Sequence, residues 1–195
     1  MNNSMRRLLL VSGLLALALS LGCATKIKAS VKNNPPPTEA FSAYGRIDIK
    51  PVVFASNYSG NGAGLAKIQA NLTKDLTTSM DAWNQRSANG RTLVIEPIVE
   101  EMQFQHGAKR VFLGPLAGSS GVLLRLNIRD LNGTVVATPE FYQRADAWAA
   151  GFLLGVHDNL MLTRVSNLAS NYIIGNFSNA AGGPSGADDK AIYLK

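Results

Sequence analysis

The residues that could do chemistry in this chain are few and scattered. Cys23 is the only cysteine, and His106 and His157 are the only histidines. A zinc site needs three or four ligands, and no cluster of Cys and His exists to supply them, so neither a metal nor a cofactor is expected. Glu96, Glu100 and Glu101 would form an acid/base pair only if burial or a like charge shifted one of them. An outward strand face predicts neither. Ser119 and Ser120 lie between Gly118 and Gly121, without the Gly-x-Ser-x-Gly frame that exposes a nucleophile on a sharp turn. A hydrolase pairing one of them with His157 is therefore a weak third reading. Gly60-Asn61-Gly62-Ala63-Gly64 stands where a phosphate loop would, but its spacing fits neither a dinucleotide fingerprint nor a P-loop, and it reads as a helix entry. Lys109, Arg110, Arg125 and Arg129 are the basic residues that could share a surface, the last two on one face of a strand. They read as a solvated face, with attraction to anionic envelope components as the alternative.

The elements that must carry these residues follow from hydrophobic spacing. Arg46 to Phe54 reads as a strand with Pro51 marking an edge or a bulge. Leu65, Ile68, Leu72, Leu76, Met80 and Trp83 recur every three or four residues and predict a long helix, stopped by Asn89-Gly90. Thr92 to Phe104 is a second strand and Gly107 to Gly121 a Gly-rich loop. In Val122 to Leu131, Leu124, Leu126 and Ile128 alternate with Arg125, Asn127 and Arg129, the period of a strand with one wet face. Asn132-Gly133 predicts a tight hairpin into Thr134 to Gln143, which contains Pro139. A final helix over Asp158 to Ile174, capped by Asp158, buries Leu160 or Met161, Val165, Leu168, Ala169 and Tyr172. The order is strand-helix-strand-strand-strand-helix, and the expected fold is a two-layer α/β sandwich of about four strands with two helices. Ala147 to Val156, with Trp148 and Phe152, is left over: a core-covering segment, or an exposed patch that meets a partner or lipid.

Composition agrees with one folded domain. Of 195 residues 46% are hydrophobic and 16% charged, which excludes a disordered chain. The formal charge of +6 is spread rather than clustered, so nucleic acid is not an expected partner. Arg6 and Arg7 precede an apolar stretch from Leu8 to Leu21 with no acid near it, the pattern of a secretory signal. Its 14 residues are short of the roughly 20 that cross a bilayer. Removing this leader leaves 17 basic and 13 acidic residues, a charge of +4. The run Ser20-Leu21-Gly22-Cys23 resembles the lipobox of bacterial lipoproteins, with Ser20 and Leu21 in swapped order relative to the usual pattern. The resemblance implies cleavage after Gly22, a diacylglyceryl thioether on Cys23 and acylation of its new amino group. It places the chain at the membrane through Cys23. Ala24 and Thr25 lack the Asp of an inner-membrane retention signal, which favours the periplasmic face of the outer membrane. The expected organisation is a signal peptide over 1–22, an anchor and Pro-rich tether over 23–43, the α/β domain over 44–177 and a disordered tail over 178–195.

The stretch Gly107-Ala-Lys-Arg110-Val-Phe112-Leu-Gly114-Pro-Leu-Ala-Gly118, followed by a strand and by Asp130-Leu-Asn-Gly133, resembles a family of uncharacterised bacterial lipoproteins known as a domain of unknown function. The element order also resembles the periplasmic α/β domains of the curli secretion lipoprotein, of the Tol-system periplasmic protein at its N-terminus, and of lipoproteins that activate penicillin-binding proteins. What these imply is a non-enzymatic interaction or scaffold module with an envelope protein or cell-wall partner. Lys109, Arg110, Trp148 and Phe152 are its candidate contact residues. The runner-up is an oligomeric component of an envelope secretion or assembly apparatus.

Overall fold

The computed structural model describes residues 27–87, 89–104, 119–146 and 156–187. Asn33–Asn34 (β1) is a short strand ahead of the main sheet. Arg46–Ile49 (β2) and Val53–Phe54 (β3) are two pieces of one edge strand, interrupted at Pro51, whose missing N–H and fixed φ break the ladder there. Both run parallel to Thr92–Gln103 (β4), with Ile47 beside Leu93 and Val53 beside Ile98. Ser119–Asp130 (β5) lies antiparallel on the other side of β4, pairing Ile95 with Ile128 and Gln103 with Gly121 across a bulge between Val99 and Glu101. Val135–Ala137 (β6) and Glu140–Asp146 (β7) flank Pro139 and are again two pieces of one strand, both antiparallel to β5. The sheet is therefore four strands wide, with a proline breaking each edge.

Gly62–Asn84 (α1) crosses from β3 to β4, and Val156–Gly175 (α2) follows β7. The two helices lie side by side against one face of the sheet, which is the expected two-layer α/β sandwich. Asn61 caps α1, its Oδ1 accepting from the Gly64 N–H at 2.9 Å. Gly64 is glycine because a Cβ there would sit 2.5 Å from the Met102 sulfur. Ile68, Leu72 and Leu76 are the buried centre of the predicted stripe. They meet Leu93, Ile95 and Val99 of β4, Leu124, Leu126 and Ile128 of β5, and Met161, Val165, Ala169 and Tyr172 of α2 in one core. Each such side chain contributes about 1.5–3 kcal/mol by leaving water.

Two local expectations need correction, and one alternative is decided. The chain is already helical at Val156, so Asp158 lies inside α2 and is not its cap. Of Leu160 and Met161 it is Met161 that is buried, with Leu162 beside it, while Leu160 is 43% exposed. The hairpin between β5 and β6 forms, but its loop is Leu131-Asn132-Gly133: Asp130 N–H donates to Thr134 O at 3.0 Å, and Gly133 takes φ +88°. That is a three-residue loop with glycine in the left-handed position, not the two-residue turn at Asn-Gly. The Asp130 carboxylate selects it by accepting from the Asn132 and Thr134 N–H groups at 2.8 and 2.9 Å.

The largest difference lies at the two ends of the described chain. Residues 27–43 do not hang free as a tether, and 178–187 are not a disordered tail. Ile27, Ala29 and Asn34 are buried, Phe41 enters the core, and β1 pairs antiparallel with Gly183–Pro184 (β8). The two segments close on each other, Ser185 N–H donating to Lys32 O at 2.8 Å. Asn176, fully buried after α2, ties the tail down: Oδ1 accepts from Ala181 and Gly182 at 2.8 Å each, and Nδ2 donates to Tyr172 O and Gly182 O. Gly182, at φ +77°, passes so close that a Cβ would lie 2.5 Å from Asn34 O.

Candidate interaction face

The helices cover one face of the sheet. Alternation along each strand sends the remaining side chains to the other face, where charged residues lie among the apolar Val94, Ile98, Leu123 and Tyr142. Glu96 and Glu100 form a column on β4, and Arg125, Asn127 and Arg129 form a column on β5. They pair across the strands. Arg129 Nη2 donates to Glu96 Oε1 at 2.6 Å and its Nε to Oε2 at 3.2 Å, while Asn127 Nδ2 reaches the same Oε2 at 2.7 Å. Arg125 Nε lies 3.3 Å from Glu100 Oε1. On β2, Asp48 accepts from Lys50 Nζ at 2.6 Å. The hydrogen bond from Arg129 holds the Glu96 carboxyl below the usual carboxylate range, with Asn127 helping and partial burial opposing. Glu96 therefore stays an anion, which fits it to pair charges and unfits it to deliver a proton at neutral pH.

At one end this open face is covered by the chain itself. Ile27 and Ala29 pack on Leu123 and Tyr142, with Ala187 beside them. Residues 27–34 form a strap beside β7, reaching its edge at Glu140, while at Tyr142 Ser185 stands between them, accepting from the Tyr142 N–H at 2.7 Å. Glu140, 8% exposed, grips it: its Oε1 accepts from the Ser30 N–H, from Ser30 Oγ at 2.7 Å and from the Val31 N–H at 2.9 Å. The Asn34 amide completes the hold, accepting from Glu140 N–H at 2.9 Å and donating to Glu140 O at 2.8 Å. The opposite edge is closed in the same way by Asn84 of α1, whose amide accepts from Ile47 N–H at 2.8 Å and donates to Ile47 O at 3.0 Å. Gln69 Oε1 takes the Val52 N–H at 2.8 Å. Neither edge is left as a bare template for strand addition.

The expected outward placement of Glu96, Glu100, Arg125 and Arg129 holds, and their mutual pairing is the solvated face read from the alternation. Ser120 is fully buried in β5. Cys23, Lys109, Arg110, Trp148, Phe152 and His106 lie outside the described residues. The strands around the last five are described, and their ends meet: Gln103 pairs with Gly121 and Ser119 with Asp146. Glu140, Asn34, Asn84 and Asn176 escaped the sequence reading. Polar residues in polar stretches carry no local signal, and their partners lie up to 110 positions away. Among the described residues no group of three or more His, Cys, Asp and Glu is placed to hold a metal ion, and no helix is long and apolar enough to cross a membrane.

A cavity of about 220 Å³ opens between α1 and the broken edge strand, lined by Lys50, Gln69, Thr73 and Asp81 among others. A shallower polar groove of about 320 Å³ follows the seam of the two helices at Asp75, Asn167 and Ser170. Neither gathers groups whose geometry suggests a reaction.

No protein-family model and no curated protein matches the chain. Solved structures resemble it distantly. A PelC dodecamer from Paraburkholderia phytofirmans is 13% identical at a TM-score of 0.40, covering 69% of this chain and 92% of its own. A minor lipoprotein from Acinetobacter baumannii is 10% identical at 0.37, covering 69% and 95%. A DUF330 protein from Xanthomonas campestris is 13% identical at 0.39, covering 79% and 97%. At such distance the likeness carries no function across.

Proposed function

We propose that the chain is a lipid-anchored module on the periplasmic face of the bacterial outer membrane that binds an envelope protein or cell-wall partner and catalyses no reaction. The observation that supports this best is the open sheet face, where acidic and basic columns lie side by side on a rigid surface. Charges fixed in that way set the register of a partner and its rate of encounter more than its affinity. The leader ahead of Ser20-Leu21-Gly22-Cys23 supports the anchor, and the residues after Cys23 favour the outer membrane.

The test is a photo-crosslinking side chain placed at Arg125 on the open face or at Thr77 on the exposed side of α1, in isolated cell envelopes. A discrete adduct is expected from position 125 and none from 77, with a yield that falls as salt screens the face. Adducts from 77 alone, or a yield at 125 that ignores salt, would contradict the reading.

A further inference from the structure

The strap has a direction, and the direction says where the membrane lies. Ile27 packs at Leu123 and Tyr142, Ser30 and Val31 at Glu140, and the Thr38 N–H donates to Val136 O at 3.0 Å. Rising along the strap therefore means descending along β7 and β6. The N-terminal end of the strap, at Ile27, therefore lies toward the end of the sheet where Gln103 meets Gly121 and Gly121 meets Arg144. Only four residue steps separate Cys23 from Ile27, a reach of at most about 14 Å. Ile27 is 3% exposed and belongs to the packed cluster on the open face, so this reach is not lengthened by slack in the strap. The β5–β6 hairpin at Asn132 follows the other end of β5, whose Asp130 is nine residue steps and about 30 Å from Gly121.

We propose that the domain is oriented with the Gln103, Gly121 and Arg144 end of the sheet toward the phospholipid headgroup surface that the acyl chains of Cys23 enter, and with the β5–β6 hairpin away from it. The strap fixes that orientation. The proposal rests on the lipid-anchor reading above and replaces a swinging tether with a docked, oriented domain.

The test uses the full chain, recovered from membranes and placed in vesicles of phosphatidylethanolamine and phosphatidylglycerol bearing a headgroup-attached nitroxide quencher. A fluorescent amino acid is built in at residue 103 or at residue 132. Loss of fluorescence is expected at 103 and not at 132. It is expected to vanish when a flexible Gly-Ser insert of about twelve residues separates Cys23 from Ile27. Equal loss at both positions, loss at 132 alone, or indifference to the insert overturns the orientation. The mass of the same sample reports whether Cys23 is acylated. If it is not, the anchor reading fails on its own, and a lipid maleimide coupled to the Cys23 thiol still decides the orientation by the same two labels.

Discussion

At Ile47 and at Glu140 the sheet edges would turn paired N–H and C=O groups to solvent, and at each place one asparagine amide takes both. The two sites differ in burial, and that difference sets their cost. Asn34 is 4% exposed, so Asn34→Ala strands two buried backbone groups and is expected to cost about 2–3 kcal/mol. Asn84 is exposed, and water replaces its amide, so Asn84→Ala is expected to cost about 1 kcal/mol or less. Urea midpoints of the two variants check the order; equal losses would show that the caps are not what holds the edges. Asn176→Ala removes four hydrogen bonds at a fully buried position and is expected to exceed both, at about 3 kcal/mol or more. Ionisation follows the same residue-scale logic. Arg129 lowers Glu96, and Arg91 and then Tyr44 lower Glu39, by hydrogen bonds to the carboxylates. A depressed carboxyl stabilises the fold above its unfolded pKa of about 4.3, and that contribution is lost as pH falls through the folded value. Glu96→Gln with Glu39→Gln should therefore flatten the fall in urea midpoint below about pH 4 and leave its slope near pH 7 unchanged. At the alkaline side burial pushes Tyr172 up to about 12, and burial with the Glu39 hydrogen bond does the same for Tyr44. Keeping both phenols neutral stabilises the fold fully below about pH 10, and the contribution fades as pH rises from there toward 12.

The elements show which parts of a fold are legible in its sequence. The stripe Ile68, Leu72, Leu76 and the alternation Leu124, Leu126, Ile128 are periodic because each buries one face against the other layer. Local spacing therefore reports them, and the two prolines that break the edge strands report themselves. The strap and the tail have no such period. Their order comes from pairs distant in sequence, Asn34 with Glu140 and Ser185 with Lys32, and a Pro-rich polar stretch looks the same whether or not a distant carboxylate holds it. The charged open face was legible as alternation, but which arginine meets which glutamate depends on the register of β4 against β5. Element-scale packing is testable where the two layers touch. Leu124→Ala opens a cavity under both helices and is expected to cost about 2–5 kcal/mol, whereas Arg125→Ala, one residue along on the wet face, is expected to cost less than about 1 kcal/mol. Thermal or urea unfolding of this adjacent pair reads the layering directly; similar losses would contradict it.

For the molecule as a whole, the strap ties the described N-terminal end to the sheet. With Ser185 it closes one sheet edge, covers one end of the open face through Ile27 and Ala29, and leaves Glu96, Glu100, Arg125 and Arg129 beyond it. On the lipid-anchor reading proposed above, a domain so held would present its charged face at a fixed attitude to the bilayer, as a docking module requires. Glu140→Ala releases the grip on Ser30 and Val31, and protease cutting within residues 27–34 is expected to rise before the core unfolds. Cutting that appears only with global unfolding would show that Glu140 does not hold the strap. The interaction reading and the orientation both depend on Cys23 being the first residue of the mature chain. Intact mass spectrometry of the protein extracted from membranes tests that most directly. The account predicts a chain beginning at Cys23 and carrying a diacylglyceryl group with a further acyl chain; a chain cut elsewhere, or one with a free Cys23 thiol, would contradict it.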